Sequence, residues 1–344
     1  MIKITNKINF SYKSPPKIIA EISGNHCGKK KKFLDLIKSA CINGADLIKI
    51  QSYEPKDITL NIKKKEFLIK DGIWKNIYLW DLYKKAHTPF SWHEDAFKIA
   101  KKYKKIIFSS PFSIRAVDLL EKLGCKLYKI ASFEITDIKL INYIASKKKP
   151  IIISTGMASK EEIDNAIKEI NKFHNKIIIL HCVSSYPTNL KNINLNRINI
   201  LKKNYKNNMI GMSDHTDDII SSVAAIPNKI VAIEKHYKLN KKTKSADSKF
   251  SITPDKLKLL KKYSIEIFHS LKKNNPSVEK ISKKLRRSVF AIKDIKRGET
   301  LSKENIDTFR PNIGICASKY FEIMGKKLNK SIEKDQSIFE KNLI

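Results

Sequence analysis

The chain has 344 residues, of which 42% are apolar and 30% are charged; this globular composition excludes wholesale disorder, and the length favours two domains of roughly 100–200 residues each. Its formal net charge is +35, from 69 basic and 34 acidic residues, yet only six of the basic residues are arginine, the side chain on which base-specific recognition usually depends. The lysines are spread along the whole chain, so we expect a compositional bias and no specific nucleic-acid partner, although weak, salt-sensitive binding to polyanions would follow from the charge.

The cysteine pattern and the hydropathy pattern indicate the cellular setting. Five cysteines are scattered along the chain without a CxxC pair, which argues against a disulfide framework or a zinc ribbon. No stretch approaches the roughly 18 uninterrupted apolar residues of a membrane span, and the N-terminal segment lacks the apolar core of a secretory signal. We therefore expect a cytoplasmic protein without a membrane partner.

Eight short β-branched runs alternate with amphipathic helical stretches, which predicts a parallel sheet wrapped by helices. One helical stretch, 159–173, begins with Ser159 and Glu162 at the spacing of a capping box. Eight strand–helix units over residues 1–270 favour an α/β fold of the TIM (β/α)8 barrel type, and no glycine-rich phosphate loop follows the first run, which argues against a dinucleotide fold. The runs are 18–22, 47–51, 106–111, 127–131, 150–155, 176–182, 209–215 and 230–236.

Two regions break the repeat. Residues 52–92 form a long excursion after the second strand and are rich in aromatic residues; loops of this length are usually functional or carry their own structure. Residues 271–284 are polar, contain Pro276, and are predicted to be a linker. The remaining residues, 285–344, are predicted to form a small β-rich domain with turn signals such as Arg297-Gly298.

Polar residues stand at the C-terminal ends of the predicted strands, where a TIM barrel carries its active site. Lys49 and Lys129 each follow apolar residues, so their burial would be costly without an anionic partner. One interpretation is a donor-rich cradle for a phosphate or carboxylate; the alternative is that each lysine forms an internal salt bridge with Glu21 or Glu234. Serine hydroxyls add donors to the cradle at Ser110, Ser132, Ser154 and Ser213.

Two histidines end the seventh and eighth predicted strands. His215 and His236 would therefore be neighbours in a closed barrel. Two converging imidazoles can bind a divalent metal and leave positions open for water and substrate. The alternative is that each is a buried histidine that only makes hydrogen bonds in the core.

Eight motifs stand at the ends of the predicted strands: AEISGNHCG 20–28, IKIQSY 48–53, FSSPFS 108–113, YKIASFEI 128–135, ISTGMAS 153–159, HCVSSYPT 181–188, GMSDHT 211–216 and IEKHY 233–237. Taken together, they resemble the sialic acid synthase family. The C-terminal domain, with RGE at 297–299 and RPNIGI at 310–315, resembles the antifreeze-like (SAF) domain that follows the barrel in that family. The resemblance covers nearly the whole chain in collinear order.

The resemblance implies the condensation of phosphoenolpyruvate with an open-chain acetamido sugar to give a nine-carbon 2-keto acid and phosphate. Residues 72–93 and 128–141 are most similar to the branch whose substrate is a 2,4-diacetamido-2,4,6-trideoxyhexose of the altrose type. The alternative is a synthase for N-acetylneuraminate or legionaminate that uses a mannose-type amino sugar.

The resemblance also implies the residue roles. His215 and His236 would bind Mn²⁺ or Mg²⁺ and, with Glu21 and Glu134, would form the catalytic group. Arg310 would reach the substrate from the SAF domain of a partner subunit in a domain-swapped homodimer. The remaining substrate-binding residues would be Lys49, Gln51, Ser110, Lys129, Ser132, Ser154, Ser184, Tyr186, Ser213 and Asp247.

Departures from the family pattern leave other functions open. Asn312 replaces a common glycine, and Cys27 stands where the family usually has asparagine. Cys27 is expected at the mouth of the site, where a change of residue can alter the sugar preference. A catalytically silent sugar-binding barrel is one alternative, and it is disfavoured because both histidines and both lysines are present. A polyanion-binding protein would be distinguished by an affinity that disappears at moderate salt.

Overall fold

The computed structural model describes residues 1–272 and 276–344. The chain divides into two compact units, Met1–Leu271 and Lys272–Ile344. Of the predicted linker 271–284, residues 273–275 lie outside the described residues, and 276–283 form a helix. Within the described residues, no helix is both long and apolar enough to cross a membrane.

The first unit contains a closed barrel of eight parallel strands, β3 to β10, each paired with the next, with β10 closing on β3. The TIM-barrel prediction is therefore confirmed, and each predicted run matches its strand to within two residues at either end. A short hairpin, β1 and β2, precedes the barrel and was not predicted. The strands are β1 (Ile2–Lys3), β2 (Asn9–Phe10), β3 (Lys17–Glu21), β4 (Leu47–Ser52), β5 (Ile106–Pro111), β6 (Tyr128–Ile130), β7 (Ile151–Ser154), β8 (Ile177–Cys182), β9 (Met209–Asp214) and β10 (Ala232–His236).

The barrel strands are apolar on both faces because one face fills the barrel and the other packs against helices. The isoleucines of β7 and the first three residues of β8 are all fully buried. The capping box of Ser159 and Glu162 is present at the start of α7. The helices of this unit are α1 (Lys30–Ile42), α2 (Pro55–Ile58), α3 (Leu79–Ala86), α4 (His93–Lys102), α5 (Ile114–Lys122), α6 (Ile138–Ser146), α7 (Lys160–Asn171), α8 (Asn196–Asn204), α9 (Ile220–Ala225) and α10 (Pro254–Ser270).

The excursion predicted at 52–92, called here the 52–92 segment, folds into α2, α3 and three short 3-10 turns. Arg115 of α5 holds its beginning, because one guanidinium nitrogen donates to Glu54 at 2.9 Å and to Asp57 at 3.3 Å. Its middle is held by Trp74, whose indole N–H donates to the carbonyl of Ala246 at 3.0 Å. The segment therefore carries its own structure and is fixed to the barrel.

The second unit has its own small core, formed by residues such as Val289, Ile306 and Leu328. Its strands β11 (Ser288–Ala291) and β12 (Ile306–Phe309) pair antiparallel, and isolated bridges extend the β structure. Two helices, α11 (Pro276–Lys283) and α12 (Tyr320–Ile323), belong to the same unit.

A buried ion pair lies on the outer face of β9 and β10. Lys235 Nζ lies 3.1 Å from Asp214 Oδ2, and both side chains are fully buried. Asp214 also accepts hydrogen bonds from Ser221 and Ser222, and Lys235 donates to the carbonyl of Thr216 at 2.6 Å. Because strand residues alternate between faces, this pair fixes the outward side of the two strands whose inward side carries the histidines.

We predict that Asp214→Leu lowers the free energy of unfolding by about 3–5 kcal/mol, because it leaves the Lys235 ammonium buried without its counter-ion. The double variant Asp214→Leu/Lys235→Met should be markedly more stable than Asp214→Leu, because it removes the unpaired charge. Urea unfolding of Asp214→Leu, of Lys235→Met and of the double variant measures the interaction energy between the two side chains. Strictly additive losses would show that the pair contributes no interaction energy.

Candidate active site

A cavity with about 900 Å³ of empty space opens at the C-terminal ends of the barrel strands. Most of the residues predicted for the site line this cavity, and they come from β4, β6, β7, β9 and β10 and from the loops that follow the strands. These residues are Lys49, Gln51, Lys129, Ser132, Glu134, Ser154, Tyr186, Ser213, His215, His236 and Asp247.

The remaining predicted site residues have different positions. Glu21 is fully buried and contacts Lys49, a cavity-lining residue. Ser110 is buried on β5, where it is paired with Gln51 of β4. Ser184 lies in the loop after β8 and is partly exposed. Arg310 belongs to the second unit, where it is exposed.

The floor of the cavity is a buried cluster of charges centred on Glu234. Lys49 Nζ lies 2.7 Å from Glu21 Oε2 and 3.0 Å from Glu234 Oε1, and Lys129 Nζ lies 2.9 Å from Glu234 Oε1. Ser213 also donates to Glu234, at 3.0 Å. The internal salt bridges weighed as an alternative are therefore present, and both lysines nevertheless line the cavity.

The charges of this floor follow from burial and from close partners. Burial would raise the pKa of Glu234, but Lys129 and Lys49 hold it well below its usual range, so this carboxylate is ionised. Burial raises the pKa of Glu21 to about 7, against the opposing effect of Lys49. Burial also lowers the pKa of Lys129, against the attraction of Glu234. Glu21 is thus the floor carboxyl that can exchange a proton near neutral pH.

Several buried polar atoms around the cavity have no hydrogen-bond partner among the described residues. They are Ser110 Oγ, Ser154 Oγ, Glu134 Oε2 and His236 Nδ1. A buried polar atom left unpaired costs about 1–3 kcal/mol, so proteins rarely keep one without a functional reason. These atoms, two hydroxyls among them, indicate that the cavity is built to receive a polar ligand.

The two histidines lie side by side at the cavity, with ring centroids 5.2 Å apart. His215 Nδ1 lies 3.1 Å from the carbonyl oxygen of Val183, so this contact does not involve the Nε2 atom of the same ring. Burial and the neighbouring His215 hold the pKa of His236 well below its usual range, so its imidazole is neutral, the form that binds metals. Two imidazoles, one with an unpartnered buried nitrogen, fit a divalent ion. No cluster of three or more potential metal ligands occurs among residues 1–272 and 276–344.

Aromatic side chains surround the histidines. Tyr186 lies 4.5 Å from His215 between ring centroids, and Phe250 lies 4.7 Å from His236. Trp74 of the 52–92 segment packs against Tyr186 at 5.5 Å. These rings exclude water from one side of the histidines.

Cys182 and Gly156 are among the residues at the site that sequence reasoning missed. Cys182 lines the cavity, with its Sγ 3.6 Å from Ser132 Oγ and 3.7 Å from His215 Nδ1. Gly156 donates its N–H to Ser132 at 3.1 Å, and a Cβ there would lie only 2.0 Å from Ser184 Oγ. The glycine that follows Ser154 and Thr155 was the available signal, because a glycine at a strand end can mark a close approach.

Comparison with known protein families gives two matches that together span most of the chain. Residues 36–275 match the model of the NeuB family, and residues 286–344 match the model of the SAF domain.

Individual proteins are also similar to this chain over most of its length. A pseudaminic acid synthase of Campylobacter jejuni is 39% identical over 329 residues, covering 94% of this chain and 96% of that protein. An N,N'-diacetyllegionaminic acid synthase of Campylobacter jejuni is 36% identical over 331 residues, covering 94% of this chain and 98% of that protein. The crystal structure of an N-acetylneuraminic acid (sialic acid) synthetase from Leptospira borgpetersenii superposes with a TM-score of 0.73 at 29% identity, covering 81% of this chain and 93% of that chain.

We predict that Glu134→Gln stabilises the protein at pH 8 and not at pH 4. Burial raises the pKa of Glu134 to about 7, so the folded state holds the proton more tightly than the unfolded state. The wild type should therefore lose stability relative to the variant as the pH rises from about 4.5 to 7, by about 2 kcal/mol for this partly exposed side chain.

Urea unfolding of both proteins across this pH range measures the effect. Glu66→Gln, at an exposed carboxylate, is the matched control and should show no such trend. A pH-independent difference for Glu134→Gln would contradict the raised pKa.

Proposed function

Because this chain belongs to the NeuB family and carries a SAF domain after its barrel, we propose that it condenses phosphoenolpyruvate with an open-chain 2,4-diacetamido-2,4,6-trideoxyhexose of the altrose type, giving pseudaminic acid and phosphate. Family membership confirms the resemblance predicted from the sequence motifs. The similarity to a pseudaminic acid synthase over nearly the whole chain supports this branch. The observation that carries the chemistry is the cavity itself, which combines two lysines, unpartnered hydroxyls and two adjacent histidines. We place the reaction in the cytoplasm.

The lysines and serines would hold phosphoenolpyruvate. Lys49 and Lys129 line the cavity, and both form salt bridges with Glu234. Hydrogen bonds from a lysine to an anionic oxygen are about twice as strong as neutral ones, and the ligand would also satisfy the free hydroxyls of Ser110 and Ser154. The other donors proposed for the phosphate and carboxylate are Ser132, Ser184, Tyr186 and Ser213.

His215 and His236 would hold Mn²⁺ or Mg²⁺. The neutral imidazole of His236 and its unpartnered nitrogen support this assignment. When bound, such an ion supplies Lewis-acid polarisation of the sugar aldehyde.

Carboxyl groups would manage the protons of the reaction. Carbon 3 of phosphoenolpyruvate bonds to the aldehyde carbon as the C=O π bond opens, and the aldehyde oxygen takes a proton to become a hydroxyl. Positive charge develops at carbon 2, water adds there and gives up a proton, and phosphate then leaves to form the keto group. Glu21 and Glu134 both have a pKa of about 7, which suits groups that stabilise this charge and accept the proton of the water. Gln51 and Asp247 would bind the polar groups of the sugar.

Arg310 would complete the site of a partner subunit in a domain-swapped dimer. It is an exposed guanidinium in a lysine-dominated chain. Its planar fork bonds two acceptors in fixed geometry, which suits the recognition of a polar sugar.

Phosphate release tests the proposed reaction. The purified protein should release phosphate from phosphoenolpyruvate with Mn²⁺ and the diacetamido trideoxyaltrose, and mass spectrometry should find the nine-carbon keto acid. Chelator treatment should abolish turnover and Mn²⁺ should restore it, and His215→Ala should abolish turnover without unfolding the protein. Faster turnover with a mannose-type amino sugar would instead identify an N-acetylneuraminate or legionaminate synthase.

A subunit-mixing experiment tests the role of Arg310. Arg310→Ala and His215→Ala chains, each inactive alone, should recover activity when they are co-expressed, because a mixed dimer then contains one site with both intact residues. Co-expression of His236→Ala with His215→Ala is the control and should stay inactive, since each barrel of the mixed dimer then lacks one of the two histidines. Failure of the first mixture to recover activity would contradict the shared site.

A further inference from the structure

We propose that an apolar wall built by the 52–92 segment selects the sugar, and that it favours methyl groups where common amino sugars carry hydroxyls. The wall is defined here as Ile58, Leu82 and Ala86, which all line the cavity. This inference rests on the proposed function and names the part of the substrate that the segment recognises.

The wall and the floor of the cavity differ in chemistry. The floor, formed by strand residues, contains the charges of Lys49, Lys129 and Glu234. The 52–92 segment contributes aliphatic and aromatic side chains to the described lining, and no carboxylate, amide or ammonium group; Tyr53 and Tyr83 add phenolic hydroxyls, whereas the three side chains of the wall carry no polar atom. The indole N–H of Trp74, a polar atom that the segment brings to the cavity, already donates to the carbonyl of Ala246.

The orientation of the sugar follows from this division. The aldehyde carbon must meet phosphoenolpyruvate at the charged floor, so the far end of an open six-carbon chain is directed away from it. A hydroxyl placed against Ile58, Leu82 or Ala86 would lose its hydrogen bond to water without gaining a partner from these three side chains. A deoxygenated terminal carbon or an acetamido methyl group would instead bury apolar surface there.

The wall is held in place before any ligand binds. A Cβ at Gly24 would lie 3.0 Å from the Cβ of Ala86, so the end of α3 sits directly on the turn after β3. Arg115 fixes α2 through Glu54, and Trp74 fixes the middle of the segment. A fixed apolar surface discriminates better than a mobile one, because it cannot rearrange to solvate a misplaced hydroxyl.

The test compares two sugars of the same configuration that differ only in a hydroxyl at carbon 6, 2,4-diacetamido-2,4,6-trideoxyaltrose and 2,4-diacetamido-2,4-dideoxyaltrose. Apolar pockets reject a substrate with an added hydroxyl by about 100-fold, so the wild-type ratio of kcat/KM should be of this order. Ile58→Thr and Leu82→Asn, which each place a polar group in the wall, should lower the ratio by at least about 10-fold and leave the KM for phosphoenolpyruvate unchanged. Leu60→Asn is the matched control, because Leu60 belongs to the same segment but is exposed outside the cavity, and it should keep the wild-type ratio.

Two outcomes would contradict the proposal, and they can be told apart. An unchanged ratio in an active Ile58→Thr enzyme would overturn the role of the wall and leave the proposed reaction standing. This variant keeps a β-branched side chain and guards against misfolding of Leu82→Asn. A wild-type protein that releases no phosphate with either sugar would overturn the proposed function and the inference together.

Discussion

The buried charge cluster around Glu234 is the constraint on which the rest of the structure depends. Two ammonium groups and two carboxyls are held inside the barrel, where an unpaired charge would cost several kcal/mol. Glu234 lies within 3.0 Å of both Lys49 and Lys129, and Glu21 adds a second carboxyl to Lys49. These ion pairs compensate the two lysine charges when no ligand is bound, and both lysines still line the cavity, where an anionic ligand can bind. The strands β3, β4, β6 and β10 must keep their register for the four groups to meet.

Strands β9 and β10 contribute to stability with their outer face and to the cavity with their inner face. Ser213 and Glu234 turn inward to the cavity floor, whereas Asp214 and Lys235 turn outward and pair with each other. A shift of either strand by one residue would exchange these sets and bury each charge beside the wrong partner. The alternation therefore fixes the position of the histidines that follow.

The barrel and most of the cavity were predictable because their signals are local. Parallel strands buried on both faces read as apolar runs, and the polar residues at their ends, such as Lys49 and His236, mark the cavity. The central role of Glu234 was not predictable, since periodicity does not show which carboxyl lies between two lysines. Ile58 and Leu82 are ordinary apolar residues in the sequence, and only the folded position of the 52–92 segment brings them to the cavity. The β1–β2 hairpin was missed because its strands have only two residues each.

The anchoring of the 52–92 segment has an evolutionary consequence. The residues that hold the charges of the floor lie on barrel strands, whereas Ile58, Leu82 and Ala86 come from the continuous 52–92 segment between β4 and β5. Mutations can therefore accumulate in the 52–92 segment without disturbing the ionic network on which folding relies. A lineage with this architecture can change the sugars that it accepts by remodelling one stretch of the chain, while the charged floor stays unchanged.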